Sequence, residues 1–355
     1  MDWTELTTGW NLLFLMGAGF FPVFLGTPLW IKLGNKWGML DLPGTRKTHP
    51  KALPFSGGLA VSSGFFLILL LVGGSSFPHF FPLFSGGLLI LGLGYLDDRR
   101  DLSPGVKILG QAGIALITAA MGLRIYYLTN PFGEMVTLGW VSYPLTVLWL
   151  VATINMINLI DGLDGLATGI CLLASASLLV IGLGLNQSAA AFLCALLIGN
   201  LVGFLPYNFP PARIFLGNSG AYFLGYLLGV ISVTGALKLP TVLALAVPVF
   251  AMGVPFLDTL WAIWRRWRQG DPITGGDRDH LHHLLVLAGV GEKEAVLVMY
   301  GLSLLLGLGS IFLSRVTVLL GALVLFLGMV ALFFSLRSLR HIQSAVRERT
   351  GRRSG

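Results

Sequence analysis

The stretch YPLTVLWLVATINMINLIDGLDGLATGICLLASASLLVIGLGL, residues 143–185, decides the fold class. It contains two apolar blocks, within predicted spans at 138–157 and 166–185, and a short turn with two aspartates between them. A block of about 20 apolar residues crosses a bilayer as a helix, because backbone groups in lipid must form their hydrogen bonds internally. The stretch therefore predicts two transmembrane helices joined by an acidic turn.

The rest of the chain repeats this pattern. It has 355 residues, of which 55% are hydrophobic and only 11% charged, and its mean hydropathy is +0.82. Long unbroken apolar blocks exclude a β-barrel, whose strands alternate in polarity. We predict an all-α polytopic integral membrane protein, a single transmembrane catalytic domain over 1–355 with about eleven transmembrane helices. The candidate spans are 9–31, 57–74, 79–96, 108–123, 138–157, 166–185, 189–205, 217–236, 240–263, 296–313 and 316–336.

The eleven spans place successive loops on alternate sides of the membrane, and the two sets of loops differ in their number of basic residues. Only three of the 23 Lys and Arg residues, Arg124, Lys238 and Arg315, fall in one set. Because basic residues accumulate in cytoplasmic loops, the other set is predicted to be cytoplasmic, with the N-terminus outside and the C-terminus cytoplasmic. The basic tail 337–355 is expected to contact anionic membrane lipids, and no nucleic-acid partner is expected. The predicted cytoplasmic loops, which are expected to form the site, are 32–56, 97–107, 158–165, 206–216 and 264–295.

Carboxylates and amides cluster in these loops. Asn155, Asn158, Asp161 and Asp164 are spaced three residues apart, so consecutive members are neighbours on adjoining turns of a helix. A second acidic pair, residues 97–98, ends another span and is expected to face water without a role in core packing. Adjacent carboxylates repel unless a cation or proton lies between them, and Mg²⁺ suits them because substrate phosphates complete its coordination. The alternative is that the aspartates only cap helices in a tight turn.

Basic side chains in the same loops are candidates for neutralising phosphates. The cluster His280-Leu281-His282-His283 has a second interpretation as a zinc site, but no cysteine is nearby. Carboxylates for a cation together with donors for phosphate are typical of phosphoryl transfer. The candidate phosphate-binding residues are Arg46, Lys47, His49, Lys107, Arg213, Arg278, His280, His282 and His283.

Together these loops resemble the polyprenyl-phosphate N-acetylhexosamine-1-phosphate transferases, a family of the glycosyltransferase family 4 type. The resemblance lies in five motifs that follow the family's order from residue 41 to 285. The matching stretches are DLPGTRKTHPKALPFSGG (41–58), YLDDRRDLSPGVKILGQ (95–111), NMINLIDGLDGLATG (155–169), PYNFPPARIFLGNSGAYFLG (206–225) and PFLDTLWAIWRR followed by DRDHLHHLL (255–285).

The resemblance implies an activity and its partners. The enzyme would transfer an N-acetylhexosamine 1-phosphate from a UDP-sugar to undecaprenyl phosphate and release UMP. Mg²⁺ would be the cofactor, with Mn²⁺ as a substitute. The site would lie on the cytoplasmic face of a bacterial inner membrane, and a homodimer is among the expected assemblies. The product would initiate a lipid-linked cell-envelope polysaccharide.

The resemblance also implies residue roles. Asp97 and Asp98 match an acidic pair that deprotonates the lipid phosphate or holds Mg²⁺. Asp161 and Asp164, with Asn158, match a nucleotide-side cluster. The remaining matches are Asn208 and Phe215 at the uridine, Lys107 at a phosphate, Arg46, Lys47, His49 and Arg278 among the substrate-binding positions, and His280, His282 and His283 near the sugar and pyrophosphate.

Two positions refine the resemblance. The peptidoglycan-precursor branch typically has three consecutive histidines and then an acidic residue, whereas HLHH is the pattern of the branch that primes O-antigen and teichoic acid with N-acetylglucosamine. Asn218 replaces a metal-binding Asp, and its amide oxygen carries no charge to attract Mg²⁺. This departure favours, as an alternative, a weak or inactive homologue that binds polyprenyl phosphate or nucleotide sugar. A transporter is the third interpretation, but ionisable residues are almost absent from the span centres.

Overall fold

The computed structural model describes residues 9–41, 52–73, 77–129, 135–236, 252–253, 266, 285 and 289–314. Within these ranges the chain is mostly helical. The helices are α1 (Gly9–Lys36), α2 (Gly57–Gly73), α3 (Phe77–Arg100), α4 (Pro104–Ala120), α5 (Ser142–Ile160), α6 (Leu166–Gly184), α7 (Ser188–Asn208), α8 (Gly217–Ala236) and α9 (Glu292–Leu313).

The chain is a multi-pass membrane protein. Among the described residues, six helices are long and apolar enough to cross a bilayer, and α2 and α4 are shorter apolar helices. Large apolar side chains point outward as well as inward, for example Leu25, Leu109 and Leu305, as expected where lipid replaces water. Helices α1–α9 correspond to nine predicted spans, whereas span 316–336 and all of span 240–263 except residues 252–253 lie outside the described residues.

Helix α8 forms the centre of the bundle. Its residues Tyr222 to Leu224 and Tyr226 to Leu228 are almost completely buried, and the helix packs against α2, α3 and α5. A helix that is apolar on every face is buried on every face. The first turn of α8 therefore lies where several other helices end.

Glycines bring two of the other helices into close contact. A Cβ added at Gly199 of α7 would lie 2.0 Å from the Met16 carbonyl oxygen of α1, and one added at Gly203 would lie 2.6 Å from that of Phe20. Between membrane helices the hydrophobic effect supplies little attraction, so close backbone packing of small residues matters more. Any larger side chain at these positions would force α1 and α7 apart.

The boundaries near the acidic pair differ from the prediction. Helix α3 continues to Arg100 and α4 begins at Pro104, so the predicted loop 97–107 shrinks to residues 101–103. Ser103 is extended (φ −62°, ψ 148°) and Pro104 occupies the first turn of α4, where its missing N–H costs no hydrogen bond. The acidic pair therefore lies inside the last turn of α3.

Two short antiparallel hairpins correct the all-α prediction. Leu40–Asp41 (β1) pairs with Leu53–Pro54 (β2), and Tyr127–Thr129 (β3) pairs with Met135–Thr137 (β4). Strands of two or three residues are too short to produce the alternation by which strands are recognised in a sequence. The first hairpin adjoins the start of α2, and the second lies between α4 and α5.

Candidate active site

Asp98 joins the end of α3 to the start of α8. Its Oδ1 accepts the Asn218 N–H at 2.8 Å and its Oδ2 accepts the Ser219 N–H at 3.0 Å. These N–H groups belong to the first turn of α8, where no carbonyl of the same helix is available and negative charge is favoured. Gly217 has φ +74°, and a Cβ there would lie 3.1 Å from Asp98 Oδ2. Asp98 therefore caps α8 across 120 residues of sequence.

Asp97 points into the bundle, and the expectation that it faces water is wrong. It is only 2% exposed. Its Oδ2 accepts the Tyr222 hydroxyl at 2.8 Å, while its Oδ1 accepts the Leu102 N–H and lies 2.9 Å from Lys107 Nζ. A buried carboxylate needs such partners. Lys107, assigned to a phosphate by the resemblance, is thus paired with Asp97, and it also lies 3.7 Å from Asp101.

The start of α2 lies directly on the start of α8. Phe215 donates its N–H to the Pro54 carbonyl, and the Phe215 carbonyl accepts the Gly57 N–H. A Cβ added at Gly58 would lie 2.2 Å from the Gly220 nitrogen. The glycines of the PFSGG motif are therefore required for backbone contact between two helix starts. Phe215 itself is partly buried.

The amide and carboxylate series of residues 155–164 does not form one helical stripe, because α5 ends at Ile160. Asn155 donates to the Gln111 side chain of α4, whereas Asn158 donates to Asn218 Oδ1 at 2.8 Å. Steps of three residues drift by about 60° around a helix, so these side chains face different neighbours. Only Asn158 reaches the start of α8.

Asp161 lies in the turn after α5. Among the described residues its carboxylate accepts no hydrogen bond. Burial, with the negative charges of Asp98 and Asp164, raises the pKa of Asp161 from 3.8 to about 8. Asp164, by contrast, accepts the Ala212 N–H at 2.8 Å and so fixes the loop between α7 and α8. Asp161 is thus the carboxylate of the turn that keeps its oxygens available for a ligand.

Asn208 holds the loop 209–216 from the end of α7. It is buried, its Oδ1 accepts the Thr168 hydroxyl at 2.6 Å, and its Nδ2 donates to the Ile214 carbonyl at 3.0 Å. These contacts link the first turn of α6 to the loop that leads into α8. The resemblance assigns Asn208 to the uridine, and the structure adds a positioning function for its side chain.

Tyr300 of α9 is a site-supporting residue that the sequence did not reveal. Its hydroxyl donates to the Gly165 carbonyl at 2.6 Å, and its ring lies on Gly169, where a Cβ would be 2.0 Å from the ring. Gly165 has φ +72° and precedes α6. One lone tyrosine in an apolar span carries no sequence signal, although the repeated glycines of DGLDGLATG mark a surface that another side chain covers.

The structure thus brings four of the five polar segments to one end of the bundle. The fifth segment and part of the first lie outside the described residues, and so do seven of the predicted site residues. Arg213 lies in the described loop and is exposed. The seven residues outside are Arg46, Lys47, His49, Arg278, His280, His282 and His283.

A magnesium ion fits the carboxylates that remain available. Within the described ranges, no three His, Cys, Asp or Glu side chains form a metal cluster, but Mg²⁺ needs only one or two carboxylates when phosphates and water complete its shell. Asp161 has no hydrogen-bond partner there. A carboxylate oxygen can accept two hydrogen bonds, and each oxygen of Asp98 accepts one backbone N–H. Burial first, and then the negative charges of Asp98 and Asp164, raise the pKa of Asp161, and a cation would offset both effects. The buried and fully bonded carboxylate of Asp97 fits a metal less well.

Comparisons with known proteins show the family of this chain. A sequence profile described as glycosyl transferase family 4 matches residues 80–236. A probable undecaprenyl-phosphate N-acetylglucosaminyl 1-phosphate transferase of Bacillus subtilis is 38% identical over 297 residues, which cover 83% of each chain. The chain belongs to glycosyl transferase family 4.

Other members of the family have related names. The decaprenyl-phosphate N-acetylglucosaminephosphotransferase of Mycolicibacterium smegmatis is 35% identical and covers 76% of this chain and 74% of its own. The undecaprenyl-phosphate alpha-N-acetylglucosaminyl 1-phosphate transferase of Escherichia coli is 29% identical over 84% of each chain. The resemblance drawn from the motifs is confirmed. The matched range 80–236 contains Asp98, Asn158, Asp161 and Asn218 but not Tyr300.

Proposed function

We propose that this protein is a phosphotransferase that moves N-acetylglucosamine 1-phosphate from UDP-N-acetylglucosamine to undecaprenyl phosphate and releases UMP. The observation that carries the proposal is the meeting of Asp98, Asp161 and the Asn158–Asn218 amide pair where α3, α5 and α8 end or begin. Membership of the family and the names of the relatives support the same reaction class.

In this reaction a phosphate oxygen of the lipid attacks the phosphorus that carries the sugar. The bond from that phosphorus to the UMP oxygen breaks, and a lipid–pyrophosphate–sugar linkage forms. Mg²⁺ bound beside Asp98 and Asp161 would neutralise charge on the transferring phosphoryl group. Burial raises the pKa of Asp161 in the metal-free site, so binding of Mg²⁺ there would displace the proton of this carboxyl group.

The other residues position these groups. Asp98 occupies the first N–H groups of α8, so the substrate phosphates must find other donors. Asp164, Asn208 and Tyr300 hold the two loops around Asp161. The charge asymmetry of the loops supports a site on the cytoplasmic face, where the nucleotide sugar is available.

Purified full-length protein tests the reaction. We expect UMP release that requires UDP-N-acetylglucosamine, undecaprenyl phosphate and MgCl₂ together, with the lipid-linked sugar phosphate detected by mass spectrometry. Omission of the lipid separates transfer from hydrolysis of the nucleotide sugar. UDP-N-acetylgalactosamine in place of the donor tests the choice of sugar. Absence of UMP under every condition would rule out the proposal.

Asn218 favours a second candidate, a protein that binds these substrates without turnover. The neutral amide oxygen attracts a cation less strongly than a carboxylate does. Under this alternative, calorimetry detects binding of UDP-N-acetylglucosamine while no UMP accumulates. Turnover in the assay above excludes it.

A further inference from the structure

The segment between α4 and α5 lies at the end of the bundle opposite the candidate active site. Helix α4 begins near Asp97, to which its Lys107 is paired, and α5 ends near Asn218, which Asn158 contacts. The 17 residues of α4 extend over about 25 Å. The described residues 121–129 and 135–141 therefore lie near the opposite surface of the membrane.

Arg124 in this segment has an unusual environment. Its guanidinium carbon lies 4.7 Å from the ring centroid of Tyr126 and 4.3 Å from that of Tyr143. Its Nε is buried and has no hydrogen-bond partner, and among the described residues Arg124 forms no ion pair. The two Nη nitrogens are not among the buried unpaired atoms and form no hydrogen bond or ion pair with the described residues, so they are the donors that an acceptor from outside the chain can reach.

The backbone around Arg124 is held firmly. Ile125 donates its N–H to the Thr146 hydroxyl at 3.0 Å, and the Tyr126 hydroxyl donates to the Gly122 carbonyl at 3.0 Å. Leu138 donates its N–H to the Tyr126 carbonyl. These bonds fix both the arginine and the neighbouring Tyr126 ring before any ligand arrives, which lowers the entropic cost of binding.

Exposed aromatic residues place this region at the level of lipid headgroups. Trp140 is 77% exposed and Tyr127 is 46% exposed, and the apolar side chain of Val136 is exposed between them in sequence. Trp and Tyr concentrate at the two membrane–water interfaces, where the phosphates of phospholipids lie. Arg124 is also one of only three basic residues predicted on this side.

We propose that Arg124, held between Tyr126 and Tyr143, binds the phosphate of an anionic phospholipid in the leaflet opposite the candidate active site. The planar guanidinium offers parallel N–H donors that match two phosphate oxygens. The two rings fix the plane of this fork and leave its edge for the ligand. The binding is non-covalent and independent of the proposed transferase reaction.

Native mass spectrometry and thermal unfolding of the full-length protein test the site. We expect wild-type protein to retain one more phosphatidylglycerol molecule than Arg124→Gln, and phosphatidylglycerol to raise the unfolding temperature of wild type more than that of the variant. Loss of one basic contact at a membrane surface weakens lipid binding by about 1 kcal/mol, roughly fivefold. Arg99→Gln is the matched control, because Arg99 also lies over a tyrosine ring, that of Tyr95, but donates to the Trp37 carbonyl at the other end of the bundle; this variant should retain the lipid like wild type.

Three results would overturn the proposal. Equal lipid retention by wild type and Arg124→Gln would show that no lipid depends on the arginine. An unfolding temperature lowered by the same amount with and without lipid would show that the stacking is only structural. Stabilisation of wild type by inorganic phosphate as strong as that by phosphatidylglycerol would indicate a soluble anion instead of a lipid.

Discussion

Asn218 stands where the family has an Asp, so a neutral amide oxygen replaces a charged carboxylate oxygen. The residue lies at the start of α8, where an Asn side chain can cap a helix, but Asp98 accepts the N–H groups of the first turn. The side chain of Asn218 instead accepts a hydrogen bond from Asn158. Residue 218 therefore lies among the groups that are proposed to surround a cation.

Asn218→Asp should lower the Mg²⁺ concentration that gives half-maximal UMP release. A carboxylate contact exceeds a neutral amide contact by about 1–2 kcal/mol, which corresponds to roughly 5- to 30-fold in metal affinity. The Asn158 donor can still bond to the new carboxylate, so the fold needs no rearrangement. Mg²⁺ titrations of both forms decide the matter, and coincident curves would falsify a metal-site role for residue 218.

Asp97 and Asp98 should separate in their effects. Asp97→Asn is expected to lose most turnover and also about 1–3 kcal/mol of stability, because Lys107 keeps its charge without its buried partner. The double variant Asp97→Asn/Lys107→Met should recover much of the unfolding temperature without recovering UMP release. Asp98→Asn should lose turnover with a smaller stability change, of about 1 kcal/mol, as for a weakened cap. Near wild-type turnover in both single variants would contradict the proposed mechanism.

The pKa of Asp161 predicts how stability varies with pH in the absence of divalent cations. The folded state, with a pKa of about 8 against the usual 3.8, binds more protons than the unfolded state between these values, so stability falls as pH rises through this range. Asp161→Asn removes the ionisable group. We expect it to raise the unfolding temperature in EDTA more at pH 8 than at pH 5, and MgCl₂ to reduce this advantage. An equal shift at both pH values would contradict the raised pKa.

At the scale of elements, α9 contacts both loops of the candidate site, the turn 161–165 and the loop 209–216. Tyr300 bonds to Gly165 at the start of α6, and Lys293 lies 5.9 Å from the ring centroid of Phe209, next to the end of α7. Helix α9 follows the loop that contains the HLHH motif in sequence. It therefore connects that loop to the turn that carries Asp161 and Asp164.

Tyr300→Phe tests the contact between α9 and Gly165, because it removes only the hydroxyl. Loss of one hydrogen bond of about 0.5–1.5 kcal/mol should raise KM for UDP-N-acetylglucosamine or the half-saturating Mg²⁺ concentration by roughly 2- to 10-fold. The unfolding temperature should change little. Tyr226→Phe is the matched control, since its hydroxyl contacts Thr118 and the Pro82 carbonyl in the bundle interior. If both variants change KM equally, the effect is not specific to the site.

At the scale of the whole molecule, the contacts among helix ends establish which loops share a face, and charge predicts which side of the membrane that face occupies. The segments around residues 57, 98, 158 and 217 meet at one end. The opposite end carries the β3–β4 hairpin and Arg124. The excess of Lys and Arg in the loops of the first face predicts that this face is cytoplasmic.

Cysteine labelling in intact cells tests this orientation. Asn130→Cys should react with a membrane-impermeant maleimide added outside, whereas Gly275→Cys should react only after the membrane is opened. The native Cys171 and Cys194 are buried, so they add little background. The reverse labelling pattern would overturn both the orientation and the cytoplasmic location of the site.

The sequence by itself determined the membrane class, the positions of nine helices and the family, because bilayer thickness sets the length of an apolar block and five motifs occur in a fixed order. It also predicted which polar segments meet. Only the tertiary structure decided which carboxylates are already bonded: Asp97 to Tyr222, Asp98 to the start of α8, and Asp164 to Ala212, with Asp161 left available. Tyr222, which donates to Asp97, and Asn218, which donates to Asp98, lie more than a hundred residues away from these carboxylates in sequence. Hydrogen bonds between helices that are far apart in sequence depend on how those helices pack, and the local sequence pattern does not predict that packing.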